Sequence, residues 1–440
     1  MEKVKWLSML SIRPSWGYSG GTPGGEQWRS YYGDGPSYLG KASTVPLNIR
    51  LSGLQWETKQ SFQVGFDFGF FDDKITGNVD IYTATIKDLL WKDNSYRIPS
   101  SSGYGAFAVY NDGKMRNQGW EFNINGNRLL KKGKFSMDFN VSFANNRNRI
   151  LEMDETLLAN TNREFDYTPG AGYLYRVQLN NPLNSIYGFR YKGVYAYSEY
   201  SEEEVPGISG PNSPVVRNAA GEPVFDSTGA PKMMVYDYGG ARQYLFVGGD
   251  AIYEDINHDG QINELDIVYL GSSLPKFTGG FGTRFHYGGW ELNLQFNFRA
   301  GVKVINQARR NLENMNNNNN QSIAVNWRWH NEGDVALLPR AATANTNFDT
   351  YNYLPSDRFV EDASFVRLNY AQLSYTFDKK LLKDLGLSQL RLNFTLNNAF
   401  CLTRYSGLDP EHAARGFSPA VDSDTNPRSR SFTFGLSVSF

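Results

Sequence analysis

Residues 61–86 read SFQVGFDFGFFDDKITGNVDIYTATI, and this stretch decides the fold class. Apolar residues occupy alternate positions in both of its halves, which is the period of a β-strand whose two faces differ. The first half places these apolar side chains on one face: Phe62, Val64, Phe66, Phe68 and Phe70. After a polar turn, the second half continues with Ile75, Val79 and Ile81. We therefore predict an antiparallel hairpin with its turn at residues 72–74.

The same alternation returns along the rest of the chain. Further strands are predicted near residues 11–20, 120–125, 135–143, 281–287, 290–298, 371–377, 390–396 and 432–440. Together they indicate about ten to twelve strands, each about as long as a tilted strand that crosses a membrane. Short connections at 72–74, 129–133 and 288–289 alternate with long ones at 88–119, 198–276 and 300–363. Short turns on one side and long loops on the other are typical of outer-membrane β-barrels.

The two faces of these strands favour a membrane barrel over a soluble sandwich. One face is rich in phenylalanine and lacks charge, whereas the other carries acidic, basic and amide side chains. The inner face of a sandwich must interdigitate with a second sheet, but a face towards lipid can be uniformly bulky. We predict that these charged residues face the barrel interior: Asp67, Asp80, Glu121, Asp138, Glu291 and Arg299. We expect aromatic girdles at the membrane surfaces from Tyr82, Trp91, Trp120, Tyr287 and Trp290.

The composition excludes several classes of protein. The 440 residues include 44 Lys plus Arg and 45 Asp plus Glu, so the net charge of −1 argues against a nucleic-acid binder. No segment approaches the 18 consecutive apolar residues that a membrane helix needs. Cys401 is the one cysteine, which excludes an intrachain disulfide and a CxxC metal site. Residues 1–10 contain too short an apolar run for the core of an export signal.

Five blocks of sequence carry a family resemblance. They are LQWETKQSFQVGFDFGFFDDKITGNVDIYTATIKDLLW (54–91), NQGWEFNING (117–126), EDINHDGQINELDIVYLGSSLPKFTGGFGTRFHYGGWEL (254–292), DASFVRLNYAQLSYTFDKKLLKDLGLSQLRLNFTLNNAF (362–400) and YSGLDPE (405–411). In this order, they resemble the C-terminal part of the SusC/RagA-type TonB-dependent transporters of the outer membrane. The order is kept over most of the chain, which makes the resemblance specific.

The resemblance implies an all-β fold, an antiparallel transmembrane β-barrel with long extracellular loops. Residues 1–440 would be the C-terminal portion of the receptor barrel, about half of a barrel of about 22 strands. The plug and the N-terminal domains of the family are not recognisable in this sequence. Residues 198–276 would form one long extracellular loop.

The resemblance also implies a function and partners. The function would be TonB-dependent import of a glycan or a peptide across the outer membrane of a Gram-negative cell. A SusD-like surface lipoprotein would lid the barrel, the TonB complex would act through a plug region, and the barrel assembly machinery would insert the chain among outer-membrane lipids. A passive porin-like channel and a soluble, secreted β-rich glycan-binding module stay open as alternatives.

One segment of the long loop matches a calcium-binding pattern. Residues 255–266 fit D-x-[DN]-x-[DN]-G-x5-E except at the last position, where aspartate replaces glutamate. The predicted ligands are the side chains of Asp255, Asn257, Asp259 and Asp266 and the carbonyl oxygen of Gln261. An Asp/Asn turn without metal is the alternative. We predict that no cofactor is required and that calcium, if bound, has a structural role.

No catalytic motif is apparent. The four histidines lack paired metal-ligand spacing, and no GxSxG or phosphate-binding glycine motif occurs, so we predict that the protein is not an enzyme. Candidate substrate-facing residues in the loop 300–363 are Trp327, Trp329, Tyr351 and Tyr353, although packing of the loop explains them as well. The last strand alternates and ends in an aromatic residue, which resembles the assembly signal of outer-membrane barrels. The residues of that signal would be Phe432, Phe434 and Phe440.

Overall fold

A computed structural model describes most of the chain. The residues outside the description are 1–5, 24–31, 47–52, 94–107, 156–157, 159–172, 174–176, 202–204, 208–209, 238–242, 316–319, 342–350 and 416–417. The strands, numbered along the chain, are β1 (Leu7–Gly21), β2 (Tyr32–Tyr38), β3 (Lys41–Pro46), β4 (Glu57–Phe70), β5 (Ile75–Lys87), β6 (Leu90–Asp93), β7 (Ala108–Asn111), β8 (Lys114–Lys132), β9 (Phe135–Glu152), β10 (Ser185–Gly188), β11 (Tyr191–Val194), β12 (Val235–Tyr236), β13 (Tyr244–Leu245), β14 (Ala251–Tyr253), β15 (Gln261–Ile262), β16 (Val268–Ser272), β17 (Phe277–Tyr287), β18 (Trp290–Ala300), β19 (Lys303–Asn306), β20 (Val360–Asp362), β21 (Phe365–Thr376), β22 (Gln389–Thr403), β23 (Val421–Asp422) and β24 (Ser431–Ser439).

Helices are short. The described α-helices Gln307–Glu313 and Lys379–Leu382 accompany 3-10 turns at Glu264–Asp266, Ile323–Trp327, Asp357–Phe359 and Lys383–Leu385. Within the described part of the chain, no helix is both long and apolar enough to cross a membrane.

The centre of the fold is one antiparallel sheet of ten strands. Their spatial order follows the chain: β1, β4, β5, β8, β9, β17, β18, β21, β22 and β24. Each strand therefore pairs with the next long strand in sequence, which is the up-and-down arrangement of a barrel wall. Ten strands are about half of a barrel of about 22 strands. The predicted all-β barrel fold is confirmed.

The register aligns the apolar residues of neighbouring strands. Phe66 of β4 lies opposite Ile12 of β1 on one side and Val79 of β5 on the other. Phe281 lies opposite Phe296, and their rings stack with centroids 4.7 Å apart. Because residues directly opposite in a ladder share a face, the alternation in each strand becomes one apolar surface across the whole sheet.

The buried core lies in the long connections rather than in this sheet. The largest fully buried side chains include Tyr187, Tyr195, Tyr236, Phe189, Phe246 and Phe359. All six belong to the connections 153–276 and 301–364. On the sheet, by contrast, Phe62 is 47% exposed and Phe434 is 81% exposed. An apolar surface of this extent without a protein partner is the pattern of a sheet that faces lipid.

The opposite face of the sheet is polar, as predicted. The Arg13 guanidinium pairs with Asp67, with 2.9 Å between Nη2 and Oδ1, and Asp80 Oδ1 accepts a hydrogen bond from Gln63 at 2.9 Å. Further pairs on this face are Asp138 with His286, Glu291 with Arg391, and Arg299 with Glu411. Glu121 lies directly opposite Asp80 on the neighbouring strand and therefore shares that face. The contacts of Arg13 and of Asp138 join neighbouring strands. Glu291 of β18 reaches across β21 to Arg391 of β22, and Arg299 contacts Glu411 in the connection 404–430.

One predicted turn is wrong. The turn expected at 129–133 lies at 133–134, because β8 continues to Lys132 through a bulge between Gly126 and Leu130. Arg128 in the bulge has a φ of 47°, and its backbone N–H donates to Asp138 Oδ1 at 2.8 Å. A bulge absorbs extra residues without ending the strand.

Two loop boundaries also differ from the prediction. The loop expected at 198–276 already begins at residue 153, because β9 ends at Glu152 and β17 is the next strand of the large sheet. The loop expected at 88–119 ends at residue 113, where β8 takes over with a polar segment that pairs with β5. The third loop, 301–364, agrees with the prediction to within a residue.

The predicted aromatic girdle is partly right. Trp120 is on the outward face and lies at the end of the sheet that carries the long loops. Trp290 packs on Tyr375 at the end with the short turns, with ring centroids 4.7 Å apart. Tyr287, opposite Trp290, also faces outward. The prediction for Tyr82 is wrong, because Tyr82 follows the outward Ile81 in β5 and therefore points inward. There its hydroxyl donates to Asn146 Oδ1 at 3.2 Å. Trp91 lies in β6, within the loop 88–113.

Candidate functional site

The described residues of three long connections fold together at one edge of the barrel sheet. We call them the loop cap, and they lie within 153–276, 301–364 and 404–430. They join strands at the edge opposite the short turns. One apolar cluster combines Phe189, Tyr195 and Phe246 from the first connection with Leu354 from the second. A second cluster combines Ile186 with Ile305 and Phe359. The loop cap is therefore packed like a soluble domain on top of the barrel wall.

A buried carboxylate ties the first two connections of the loop cap together. Asp250 is fully buried, and its oxygens accept hydrogen bonds from Tyr244 Oη at 2.6 Å, Arg340 Nε at 2.8 Å and Asn352 Nδ2 at 3.2 Å. Burial and the negative charge of Asp250 raise the pKa of Tyr244, so this hydroxyl stays a hydrogen-bond donor. Because a buried charge is tolerated only when it is paired and hydrogen-bonded, this network fixes the relative positions of the segments.

A second charged cluster lies beneath the helix Gln307–Glu313. Glu313 accepts hydrogen bonds from Arg309 Nε and from Arg358 Nη2, both at 2.7 Å. The Arg358 guanidinium also lies 5.0 Å from the ring centroid of Phe359 and 5.1 Å from that of Tyr191. Removing one partner of such a pair would leave a buried charge uncompensated, and cation–π contacts strengthen when they are sheltered from water.

The segment YSGLDPE, residues 405–411, fastens the third connection to the barrel wall. Asp409 Oδ1 accepts a hydrogen bond from Arg367 Nη2 of β21 at 2.7 Å. Glu411 Oε1 lies 3.6 Å from Arg299 Nη2 of β18. Tyr405 donates its hydroxyl to Asp422 Oδ2 at 2.7 Å within the same connection. These contacts leave no signal in the sequence, since both arginines are distant from the segment along the chain.

The calcium-like segment 255–266 folds as a tight loop in the cap. Asp255 Oδ2 accepts a hydrogen bond from the Gly260 N–H at 2.8 Å, and Asp259 Oδ1 accepts one from the Gln261 N–H at 2.7 Å. Gly260 has a φ of 84°, as the turn at this position of the pattern requires. Asn257 Oδ1 accepts a weaker hydrogen bond from the Asp259 N–H at 3.2 Å.

Asp266 closes this loop from within the protein. Its two carboxylate oxygens accept the N–H groups of Ile256 at 2.8 Å and Asn263 at 3.0 Å. Burial, together with the charges of Asp255 and Asp259, raises the pKa of Asp266 to about 6. Among the described residues, Asp255 Oδ1 is buried and has no hydrogen-bond partner. In the described residues, however, no group of three or more His, Cys, Asp or Glu side chains forms a metal-binding arrangement. Calcium binding therefore stays a prediction.

The four candidate aromatic residues occupy different environments. Tyr351 stacks on Tyr236 with ring centroids 3.9 Å apart, and Tyr353 is buried beside Phe359. Trp329 is half-buried and donates its indole N–H to the carbonyl of Ala196 at 3.2 Å. Trp327 is 57% exposed. Three of the four thus contribute to packing of the loop cap, and Trp327 is the most exposed of them; contact of any of the four with a substrate stays a prediction.

The residues of the predicted assembly signal lie on or beside the last strand of the sheet. Phe432 and Phe434 of β24 face outward, and the Phe434 ring lies 4.9 Å from that of Phe394 on β22. Phe440 follows the strand and is exposed. Their recognition by an assembly machinery stays a prediction.

Comparison with known proteins gives consistent relatives. A family model described as "TonB dependent receptor-like, beta-barrel" matches residues 5–222. The TonB-dependent receptor P39 of Formosa agariphila is 27% identical, with 100% of this chain and 41% of that receptor aligned. The TonB-dependent receptor SusC of Bacteroides thetaiotaomicron is 24% identical, with 100% of this chain and 38% of SusC aligned.

Solved structures agree on the fold. The RagAB peptide importer in its "closed-closed" state matches with a TM-score of 0.72 and 20% identity, covering 100% of this chain and 42% of the matched chain. The RagAB peptide transporter gives a TM-score of 0.69 at 21% identity, covering 99% and 41%. This likeness concerns the fold alone. The chain spans about two fifths of the length of the curated relatives it matches.

Proposed function

We propose that the chain belongs to the TonB-dependent receptors of the SusC/RagA type. It would supply barrel wall and extracellular loops to an outer-membrane importer of glycans or peptides. One observation carries the proposal: the continuous apolar face of the sheet is exposed, while the buried core lies in the loop cap at one edge. A barrel wall in lipid with a folded domain at its mouth accounts for both features.

The alternatives fit this arrangement less well. A soluble glycan-binding module would expose the phenylalanine rows to water, far beyond the apolar patches of ordinary soluble proteins. A passive porin-like channel fits the apolar face equally well but gives no reason for a cap with buried charge clusters. The relatives named above are receptors, which supports a role without catalysis.

We propose that a SusD-like lipoprotein covers the loop cap and that the TonB complex drives import. The support is the similarity to SusC and the packing of the loop cap, which buried ion pairs hold in place. A cap held in this way gives a rigid surface on which a lid could dock. Trp327 is the proposed substrate contact, because a flat exposed ring can stack on a sugar or an amino-acid side chain.

Fractionation and uptake test the proposal in sequence. We expect the protein in the outer-membrane fraction, where an affinity tag on it should retain a surface lipoprotein. A mixture of oligosaccharides and peptides is then supplied to wild-type and deletion strains, and depletion of each compound is measured with and without a protonophore. Depletion that requires both the gene and the proton gradient supports energised import. Depletion that is unchanged by the protonophore would favour the passive channel. A protein found in the water-soluble fraction would favour the soluble module.

A further inference from the structure

Five cationic side chains share the outward face of β5, β8 and β9, and we call them the cationic ridge: Lys87, Lys114, Arg116, Arg147 and Arg149. The register places Arg116 directly opposite Arg149, and Lys87 directly opposite Lys114. Arg147 lies opposite Gln118, which is two residues closer to Trp120 along β8 than Arg116 is. Residues two and four positions from the outward Trp120 share its face, so the ridge faces away from the barrel interior.

The ridge begins where the apolar band ends. Trp120 stacks on Phe143 with ring centroids 5.4 Å apart, and Phe143 contacts Phe277 at 5.3 Å. Arg116 lies four residues beyond Trp120 towards the loop 88–113, which is roughly 13 Å along the strand. At a strand tilt of about 40°, this is roughly 10 Å above the aromatic residues that mark the membrane surface. The cations therefore lie at the height of lipid headgroups on the side of the loop cap.

The arginines of the ridge are not paired with acidic side chains among the described residues. Like charges directly opposite each other destabilise a pair of strands. Glu152 neutralises Lys114, with 2.8 Å between Oε1 and Nζ. Among the described residues, the guanidinium groups of Arg116, Arg147 and Arg149 have no ion-pair or hydrogen-bond partner. The three arginines thus lack a counterion that the fold itself provides.

A cavity beside the ridge offers further donors. Arg147 and Arg149 line a cavity of about 580 Å³, together with Lys276 and Lys303 from the neighbouring connections. Asp362 is the one carboxylate in the lining, and its Oδ1 is occupied by the N–H and hydroxyl of Ser364. Several asparagine amides complete the lining. Guanidinium and amide donors around a cavity of this kind suit a phosphate group, which accepts several charge-assisted hydrogen bonds.

We propose that the cationic ridge binds the phosphate groups of anionic lipids in the leaflet that surrounds the loop cap. The inference rests on the proposed membrane location, because only a membrane-embedded sheet brings the ridge to headgroup height. A phosphate bridging Arg116 and Arg149 converts their repulsion into two attractions, and each cation near a membrane surface strengthens such binding. The ridge continues directly from the apolar face of the sheet. A phosphate bound there would therefore be the headgroup of a lipid whose chains contact that face.

The test compares lipid binding by three forms of the protein, purified in detergent from the outer membrane. The first is wild type, the second carries Arg116→Gln, Arg147→Gln and Arg149→Gln, and the third is a control with Lys131→Gln, Lys132→Gln and Lys134→Gln at the opposite end of the same hairpin. The probes are lipid A with its phosphates, the same lipid after enzymatic dephosphorylation, and inorganic phosphate. We expect the arginine variant to bind phosphorylated lipid A roughly a hundred-fold more weakly than wild type and the control.

Thermal unfolding adds a readout that a purely structural role of the arginines would not give. Without phosphorylated lipid, the arginine variant should unfold at a higher temperature than wild type, because repulsion is removed. With the lipid, wild type should gain stability and the variant should not. A variant with lysine at all three positions should keep part of the binding.

Equal binding of both lipid forms, or undiminished binding by the arginine variant, would overturn the inference while leaving the proposed importer intact. Inorganic phosphate that binds as tightly as the lipid would also overturn it, in favour of free phosphate. A protein absent from the outer-membrane fraction would overturn the proposed function and, with it, this inference.

Discussion

Placing an arginine on the outward face at Phe296 should destabilise the membrane-inserted protein strongly. Phe296 lies six residues beyond Trp290 in β18, which is roughly 20 Å along the strand and roughly 15 Å in depth at a tilt of about 40°. An apolar band is about 25 Å tall, so Phe296 lies near its middle. Arginine there costs about 2 to 4 kcal/mol, and loss of the stacking on Phe281 adds about 1 kcal/mol.

The assay is unfolding by denaturant in detergent micelles or lipid vesicles, compared with a matched control. Gln295→Arg introduces the same side chain one residue away, on the inward face. We expect the free energy of unfolding to fall by about 3 to 5 kcal/mol for Phe296→Arg and by at most about 1 kcal/mol for Gln295→Arg. Equal effects of the two substitutions would refute the assignment of the faces, and no effect of Phe296→Arg would refute the membrane orientation of the sheet.

Three further predictions concern the loop cap. Asp250→Asn should leave Arg340 without its carboxylate and lower the local stability by about 3 kcal/mol, seen as roughly hundred-fold faster amide exchange in β14 but not in β18. Millimolar calcium should raise the unfolding temperature of wild type but not of Asp259→Ala, and a wild-type midpoint indifferent to calcium would remove the calcium prediction. Trp327→Ala should weaken substrate affinity about five- to tenfold, whereas Ile323→Ala on the same turn should not, and equal losses would contradict stacking.

The sheet could be predicted from the sequence because its signal is local. A face towards lipid needs an apolar residue at alternate positions along each strand, and that pattern fixes the strand, its faces and its register together. The error at Tyr82 shows the limit of reading residue type without the period. Tyr82 is aromatic and near a strand end, but its position next to Ile81 turns it inward.

The loop cap could not be predicted because its contacts are far apart in sequence. Arg340 and Asp250 are separated by 90 residues, and Arg367 and Asp409 by 42. No periodic pattern marks such partners, since each connection packs its own irregular turns. The bulge at Arg128 could not be predicted for a related reason. Residues 129–133 have the local sequence of a turn, but pairing of residues 130–132 with β9 keeps them in the strand.

The fastening of the loop cap bears on how a substrate would be captured. Asp409 and Glu411 pair with arginines that belong to β21 and β18, so the third connection is held by the barrel wall itself. Asp250 then links the first two connections through buried hydrogen bonds. Breaking the Arg367–Asp409 pair or the hydrogen bond from Arg340 to Asp250 would leave a buried charge without its partner, at a cost of about 3 to 5 kcal/mol for each pair broken. A cap fastened in this way moves with the wall, and a lid that opens and closes is therefore more easily supplied by a separate chain. This argument supports the proposed lipoprotein partner independently of the family relationship.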